Sequence, residues 1–202
     1  MHSLIAIAGM VFAVAATPGP NNLIVLHLAA HRGLAGARPA IAGIVLGGLT
    51  LLALVILSMS AVFIAAPWMK TTITVVGALY LIYLSGRLVV AQRVRYAVTA
   101  KSDDVGFPES FAGVFGFQFL NPKGWVMVLT AVAALPFHTD SFAAFSALAV
   151  LFAAIPLSCL VLWASVGTVI ATRLGQERFR RRFDIAMGTL LAGSAILLLI
   201  GI

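Results

Sequence analysis

Long apolar stretches, separated by short polar segments, run along the whole chain. A helix needs roughly 20 apolar residues to cross the hydrocarbon core of a bilayer, and six stretches have about that length or more. They cover residues 3–27, 40–66, 71–90, 111–135, 142–171 and 184–202. The pattern therefore predicts an all-α membrane protein with six transmembrane helices, which together form a single transmembrane domain over residues 1–202.

Prolines lie within three of these stretches. The first contains Pro18-Gly19-Pro20, the fourth contains Pro122 and the fifth contains Pro156. Proline lacks a backbone N–H and frees a carbonyl one turn earlier. A bilayer tolerates free backbone groups only where protein or a water-filled cavity surrounds them. We therefore expect helices 1 and 4 to be broken at their prolines, and the breaks to face the interior of the protein.

The composition favours the same fold class. Hydrophobic residues make up 62% of the chain and charged residues only 9%, whereas soluble domains carry about 25% charged residues. Because so few charges cannot cover a soluble surface, the excess apolar surface must face lipid. Six spans and their loops leave no room for a separate soluble domain. The single cysteine, Cys159, excludes an intrachain disulfide or a paired redox motif.

The positive charges are distributed unevenly among the loops. The loops after the first, third and fifth spans hold 11 of the 13 lysines and arginines, namely Arg32, Arg38, Arg87, Arg93, Arg95, Lys101, Arg173, Arg178, Arg180, Arg181 and Arg182. The positive-inside rule places these loops in the cytoplasm, so both termini of this inner-membrane protein are predicted to face outward. Membrane topology thus explains the net charge of +7, and we predict no nucleic-acid partner.

Three spans in each half of the chain place the two halves in opposite orientations. If residues 1–95 and 108–202 are repeats, they are inverted repeats, and each begins with a span in which proline adjoins asparagine. Paired, broken helices in matching positions are the best sequence indication of a transporter's binding site. The alternative is that the prolines are simple kinks and that the asparagines join helices by hydrogen bonds.

The two broken helices supply the candidate substrate-binding residues. A helix N-terminus carries about half a positive charge and favours a carboxylate, whereas free carbonyls and asparagine side chains favour an ammonium group. Together these groups match a small, zwitterionic, amino-acid-like substrate. The predicted binding residues are Pro18, Gly19, Pro20, Asn21, Asn22, Asn121, Pro122 and Lys123.

Lys123 is the one full charge deep within a predicted span. A charge at that depth costs roughly 2.5–3.5 kcal/mol on insertion scales, so its ammonium group needs a partner. The six acidic residues all lie in loops or at span ends: Asp103, Asp104, Glu109, Asp140, Glu177 and Asp184. Two interpretations remain. The ammonium group binds the substrate carboxylate, or it caps free carbonyls or extends to the cytoplasmic headgroups.

Neither a metal site nor an active site is predicted. His27 and His31 are one helical turn apart, a spacing that can bind metal, but no carboxylate or third histidine accompanies them in the sequence. We interpret both as interfacial polar residues, and we expect no metal and no cofactor. The chain also lacks the common phosphate-binding, nucleophile-elbow and zinc-protease motifs, so it is not predicted to be an enzyme. Active transport would then depend on an ion gradient.

Three motifs resemble those of a known family. Residues 17–22 (TPGPNN), 77–81 (GALYL) and 117–123 (FQFLNPK) are similar to the LysE/RhtB family of amino-acid exporters, and the resemblance runs nearly from end to end. It implies a small secondary transporter that exports amino acids or their derivatives by proton antiport. It also implies six hydrophobic segments arranged as inverted repeats, and assembly into a homo-oligomer.

One position departs from the family pattern. Many members have a Gly-Asp pair in the second span, where this chain has Gly47-Gly48. A carboxylate is the natural proton carrier within a membrane, so the absence of this aspartate leaves the proton carrier open. Because it lacks this aspartate and carries the TPGPNN motif, the chain resembles the cysteine/O-acetylserine exporter branch of the family more closely than the other members. A passive channel or facilitator for small solutes is the alternative function.

Overall fold

The computed structural model describes residues 2–59, 68–95, 108–135, 142–173 and 176–200. All regular structure in these ranges is helical, which confirms the predicted all-α class. The helices are α1 (His2–Ala16), α2 (Pro20–Leu54), α3 (Trp68–Arg95), α4 (Phe111–Phe117), α5 (Pro122–Ala133), α6 (Phe142–Ala171) and α7 (Glu177–Ile200). A π-helical turn, Val55–Met59, extends α2, and a 3₁₀ turn, Gln118–Leu120, follows α4.

Two prolines start new helices at breaks in the chain. α1 ends at Ala16, and α2 begins at Pro20 with an extended Gly19 (φ −165°, ψ 176°) as its N-cap. α5 begins at Pro122 with an extended Asn121 (φ −88°, ψ 99°) as its N-cap. Proline fits the first turn of a helix because the N–H that it lacks has no intrahelical partner there. Each break therefore ends one helix and starts another.

A sharp turn at Gly33 divides α2 into a first segment, residues 20–32, and a second segment, residues 34–54. Gly33 has φ 70° and ψ 177°, and the backbone is helical on both sides of it. Because glycine adopts a positive φ without steric cost, one residue redirects the chain. The loop predicted between residues 27 and 40 is therefore wrong, and Arg32 and Arg38 are helical.

Other boundaries follow or extend the predicted spans. α6 coincides with the predicted span 142–171 and continues through Pro156 without a break. α7 begins at Glu177, before the predicted start at residue 184, because the polar residues ahead of that position are helical as well. Hydropathy locates the part of a helix that lies in lipid and misses a polar first turn. Lys101 and the ends of the predicted second and sixth spans lie outside the described residues.

α2 and α6 form the centre of the helix bundle, α3 packs against α7, α1 against α6 and α4 against α2. Glycines permit the closest approaches. A Cβ on Gly43 of α2 would lie 2.7 Å from the carbonyl oxygen of Phe111 in α4, and one on Gly167 of α6 would collide with the carbonyl oxygen of Leu26 in α2. Small residues mark helix interfaces in membranes because they let two backbones approach closely.

Large apolar side chains cover much of the outer surface. Leu57, Phe142 and Val169 are 79%, 87% and 71% exposed, a distribution that suits contact with lipid. By length and composition, two helical stretches of the described residues could cross a membrane: Pro20–Leu57, which includes the turn at Gly33, and Phe142–Ala171. The shorter apolar helices of the described ranges are Leu4–Ala16, Thr71–Tyr83, Phe111–Leu120 and Pro122–Ala133. Three of these helices are short because each ends or begins at one of the two breaks, namely Leu4–Ala16, Phe111–Leu120 and Pro122–Ala133.

Candidate functional site

A cavity lies where the two helix breaks meet. Its volume is about 60 Å³, counted as the space open to the centres of water molecules. The walls come from the end of α1, from both segments of α2, from the 3₁₀ turn, from α5 and from the middle of α6. Residues from the two halves of the chain thus enclose one space, although the two breaks are about a hundred residues apart in the sequence.

Most of the predicted binding residues line this cavity. Six of the eight do so: Gly19, Pro20, Asn21, Asn22, Asn121 and Lys123. Pro18 is exposed between α1 and α2 and is not part of the wall. Pro122 is buried against α3, where a Cβ on Gly77 would lie 2.7 Å from its Cδ. Both prolines therefore belong to the breaks but not to the wall of the cavity.

A reciprocal pair of amides joins the two breaks across the cavity wall. Asn21 Nδ2 donates to Gln118 Oε1 at 2.9 Å, and Gln118 Nε2 donates to Asn21 Oδ1 at 3.1 Å. Gln118 Nε2 also donates to the carbonyl oxygen of Val114 at 3.1 Å, and the Gln118 side chain is almost fully buried. The sequence analysis did not single out Gln118, although it lies one turn before Asn121 in the same break.

Side chains from α2 and α6 satisfy the carbonyl groups at the end of α1. The last carbonyls of a helix lack intrahelical partners. Asn22 Nδ2 donates to the carbonyl oxygens of Ala15 and Thr17, at 2.9 and 2.8 Å. Trp163 Nε1 of α6 donates to the carbonyl oxygen of Ala16 at 3.3 Å. These bonds fix the position of the break relative to the centre of the bundle.

The ammonium group of Lys123 reaches from α5 to the same helix end. Its Nζ donates to the carbonyl oxygen and to the Oγ1 of Thr17, both at 2.9 Å. A Cβ on Gly19 would lie 2.9 Å from Nζ, so glycine makes room for the ammonium group. A cation is favourable here because the C-terminal end of a helix carries a partial negative charge. The sequence left open whether the Lys123 ammonium group binds a substrate carboxylate or caps free carbonyls. In this conformation it caps a carbonyl group at the end of α1.

The N-terminus of α2 opens on the cavity without a side-chain cap. Gly19, its N-cap residue, has no side chain to bond the first amides, whereas the N-terminus of α5 is capped by Asn121, which accepts from the Lys123 amide at 3.2 Å. Apolar side chains such as Phe152 and Leu160 form other parts of the wall. The cavity thus combines polar groups and positive potential with an apolar surface, as binding of a small amphipathic solute requires.

Gly48 marks open space in the wall of the cavity. A Cβ at this position would meet no atom within 4 Å, whereas a Cβ on the neighbouring Gly47 would lie 2.5 Å from Gln118 Cγ. Gly47 is therefore needed for packing, and Gly48 leaves volume for a ligand. Within the described residues, no acidic side chain lines the cavity.

Comparison with known proteins finds relatives over most of the chain. An uncharacterized membrane protein of Pseudomonas aeruginosa is 30% identical over 187 residues, which cover 90% of this chain and 84% of the relative. The cysteine/O-acetylserine efflux proteins of Escherichia coli and Salmonella paratyphi A are each 28% identical, with 90% of both chains covered. No solved structure matches the chain significantly.

The family assignment rests on most of the chain. The model of the LysE type translocators matches residues 12–201, a range that contains both helix breaks and every residue of the cavity wall. The relatives with an assigned activity are efflux proteins, and the apolar outer surface suits a membrane. The chain therefore belongs to the LysE type translocator family, and it is a membrane transport protein rather than an enzyme.

Proposed function

We propose that this protein exports a small amino acid or amino-acid derivative across the inner membrane, as a secondary transporter driven by proton antiport. The observation that carries the proposal is the cavity at the two helix breaks, with Lys123, the Asn21–Gln118 pair and the N-terminus of α2 around it. The ammonium group and the helix N-terminus favour a substrate carboxylate. Amide oxygens and the freed carbonyls favour a substrate ammonium group.

The size of the cavity supports a short side chain on the substrate. A buried water needs about 10–15 Å³ of this kind of volume, so about 60 Å³ holds roughly four waters or a solute of similar size. Cysteine and O-acetylserine, which the names of the relatives specify, are small zwitterions with short side chains. We propose a substrate of this class.

We propose further that the helices form two inverted repeats, over residues 1–95 and 108–202, and together make six membrane crossings. In this arrangement α1 with the first segment of α2 corresponds to α4 with α5. The second segment of α2 corresponds to α6, and α3 corresponds to α7. The packing supports the correspondence, because α4 rests on α2 as α1 rests on α6.

Contacts among the three basic segments support their placement on one common side of the membrane, which the positive-inside rule assigns to the cytoplasm. Arg32, next to the turn in α2, lies 2.6 Å from the carboxylate of Glu109, which precedes α4. His27 of α2 lies 3.9 Å from Asp184, which follows the arginines of α7. The ends of the first, third and fifth predicted cytoplasmic loops are thus close together, as a shared side of the membrane requires.

Reporter fusions test this topology. We expect alkaline phosphatase fused after Ile202 to be active, because this enzyme folds only outside the cytoplasm, and the same reporter fused near Arg95 to be inactive. A fluorescent protein that folds in the cytoplasm should give the opposite pattern at the same two positions. Active phosphatase near Arg95 would overturn both the orientation and the inverted-repeat assignment.

Transport by the purified protein in proteoliposomes tests the function. Labelled cysteine or O-acetylserine should enter faster when the vesicles contain unlabelled substrate, and lysine or phenylalanine inside should have little effect. A pH gradient should drive uphill movement if protons are exchanged. Uptake without acceleration by internal substrate would identify a channel instead of a carrier. No uptake of any small amino acid would overturn the proposal.

Filling the open space at Gly48 should block transport without unfolding the protein. We expect Gly48→Leu to reduce counterflow by about tenfold or more, because the added side chain would occupy space that the substrate uses, and a loss of about 1.4 kcal/mol in binding free energy is a factor of ten. Gly9→Leu is the matched control, since Gly9 is exposed on α1 and a Cβ there also meets nothing within 4 Å. Equal transport by the two variants would show that the substrate does not use this space.

A further inference from the structure

A second group of polar side chains lies away from the transport cavity, where the first segment of α2 packs near the start of α7. His27, His31 and Asp184 each offer one ligand atom, and these atoms lie within 4.8 Å of one another. His27 and Asp184 are buried, whereas His31 is exposed. None of the three lines the transport cavity. The sequence analysis found no carboxylate near the two histidines, because Asp184 becomes their neighbour only through tertiary packing.

The distances suit ligands of one metal ion better than a direct hydrogen bond. His27 Nδ1 lies 3.9 Å from Asp184 Oδ1, which is beyond hydrogen-bond range. Two atoms that each bind a tetrahedral zinc ion at about 2.1 Å lie about 3.4 Å apart, so this pair needs to approach by only a few tenths of an ångström. The ligand atom of the exposed His31 lies within 4.8 Å of both, so binding of the ion would also draw this side chain closer.

The tautomer of His31 also leaves a ring nitrogen with a lone pair that can bind a metal ion. Its Nδ1 lies 2.9 Å from the carbonyl oxygen of His27. Because a carbonyl oxygen only accepts hydrogen bonds, Nδ1 carries the proton, and Nε2 of the neutral ring keeps the lone pair that binds a metal. Histidine ligands in metal sites usually donate their second N–H in this way.

We propose that His27, His31 and Asp184 form a binding site for a divalent transition-metal ion, with Zn²⁺ as the best-matched ion, that ties α2 to α7. Two imidazoles and one carboxylate match the ligand preference of zinc, whereas Mg²⁺ and Ca²⁺ prefer all-oxygen sites. A water molecule would complete the coordination from the exposed side, next to His31. The site goes beyond the proposed transport function and does not depend on it.

The surroundings permit a cation at this position. Phe183 flanks both imidazoles, with ring centroids 6.5 Å from His27 and 6.4 Å from His31, and it provides an apolar wall. The nearby Arg181 and Arg182 are exposed, so solvent and salt screen their repulsion of a bound ion. The exposed His31 gives the ion a path from solution.

Metal titration of the full-length protein in detergent tests the proposal. Zn²⁺ should compete with a colorimetric chelator at one site per chain, and Co²⁺ at the same site should show visible d–d absorption. Removing a residue that only orients a metal ligand typically lowers the metal affinity by about 10–100-fold. Asp184→Asn and His31→Ala change the ligands themselves, so we expect them to weaken Zn²⁺ binding by about 100-fold or more.

Two control variants make the result specific. Glu109→Gln removes an acidic residue outside the cluster, and His2→Gln removes a histidine that is distant in the sequence from His27 and His31. Both variants should bind Zn²⁺ as the wild type does. Monodisperse elution of Asp184→Asn and His31→Ala would show that these variants are folded. The absence of a Zn²⁺ site in the wild type, or equal binding by the ligand variants, would overturn the proposal and leave His27 and Asp184 as an ion pair.

Discussion

Lys123→Met is expected to weaken substrate binding by about 100-fold or more while the protein remains inserted and folded. We propose that the ammonium group, which here bonds Thr17, pairs with the substrate carboxylate in at least one transport state. Breaking a desolvated ion pair typically costs about 3–5 kcal/mol, and 2.7 kcal/mol already corresponds to about 100-fold. The fold should persist because the Thr17 carbonyl oxygen keeps its hydrogen bond from Asn22.

Counterflow at equal membrane abundance measures this effect. Lys123→Arg should lose only part of the activity, since the charge is kept but the planar guanidinium has a different geometry. Lys70→Met is the matched control, because it removes the same charge in the first turn of α3, at a position outside the predicted binding residues. Near-normal counterflow by Lys123→Met would assign substrate binding to the asparagines and the free backbone instead.

Gly77→Ala is expected to reduce the stability of the protein by about 1–3 kcal/mol or more, the usual range for overpacking. A Cβ on Gly77 of α3 would collide with the carbonyl oxygen of Leu120 and would lie 2.7 Å from Pro122 Cδ. Both neighbours belong to the second helix break and have little freedom to move. The substitution should therefore displace the break and also reduce transport.

The thermal midpoint of the purified protein in detergent measures the loss of stability. Gly86→Ala is a close control, because Gly86 lies in the same helix and a Cβ there would meet nothing within 4 Å. This control should be neutral or slightly stabilising, since alanine favours a helix by about 0.8–1 kcal/mol over glycine. Equal midpoints for the two alanine variants would contradict the close contact between α3 and the break.

The fold class could be predicted because it depends on features that are local in the sequence. Apolar stretches of membrane-spanning length predicted an all-α membrane protein, and the span 142–171 coincides with α6. The sharp turn at Gly33 could not be predicted, and a loop was expected after residue 27 instead, since hydropathy does not report the backbone angles of a single residue. A single left-handed glycine and a short polar loop look alike in a hydropathy profile.

The candidate site could be predicted in part for a related reason. Proline next to asparagine marks a break in any apolar helix, so Asn21, Asn22 and Asn121 were identified from the sequence. Gln118 was missed because a lone glutamine in an apolar segment has no local signature. The opposite roles of Gly47 and Gly48 were also hidden, since they depend on which neighbour lies against each helix face.

The sequence by itself determined the all-α class and the family, because these follow from hydropathy and local motifs. Only the tertiary structure decided that the breaks meet in one cavity, that Lys123 bonds the end of α1, and that Asp184 joins His27 and His31. The physical reason is the range of the interactions. Backbone preferences act within a turn or two, whereas these contacts join residues about a hundred or more positions apart, which only helix packing can bring together.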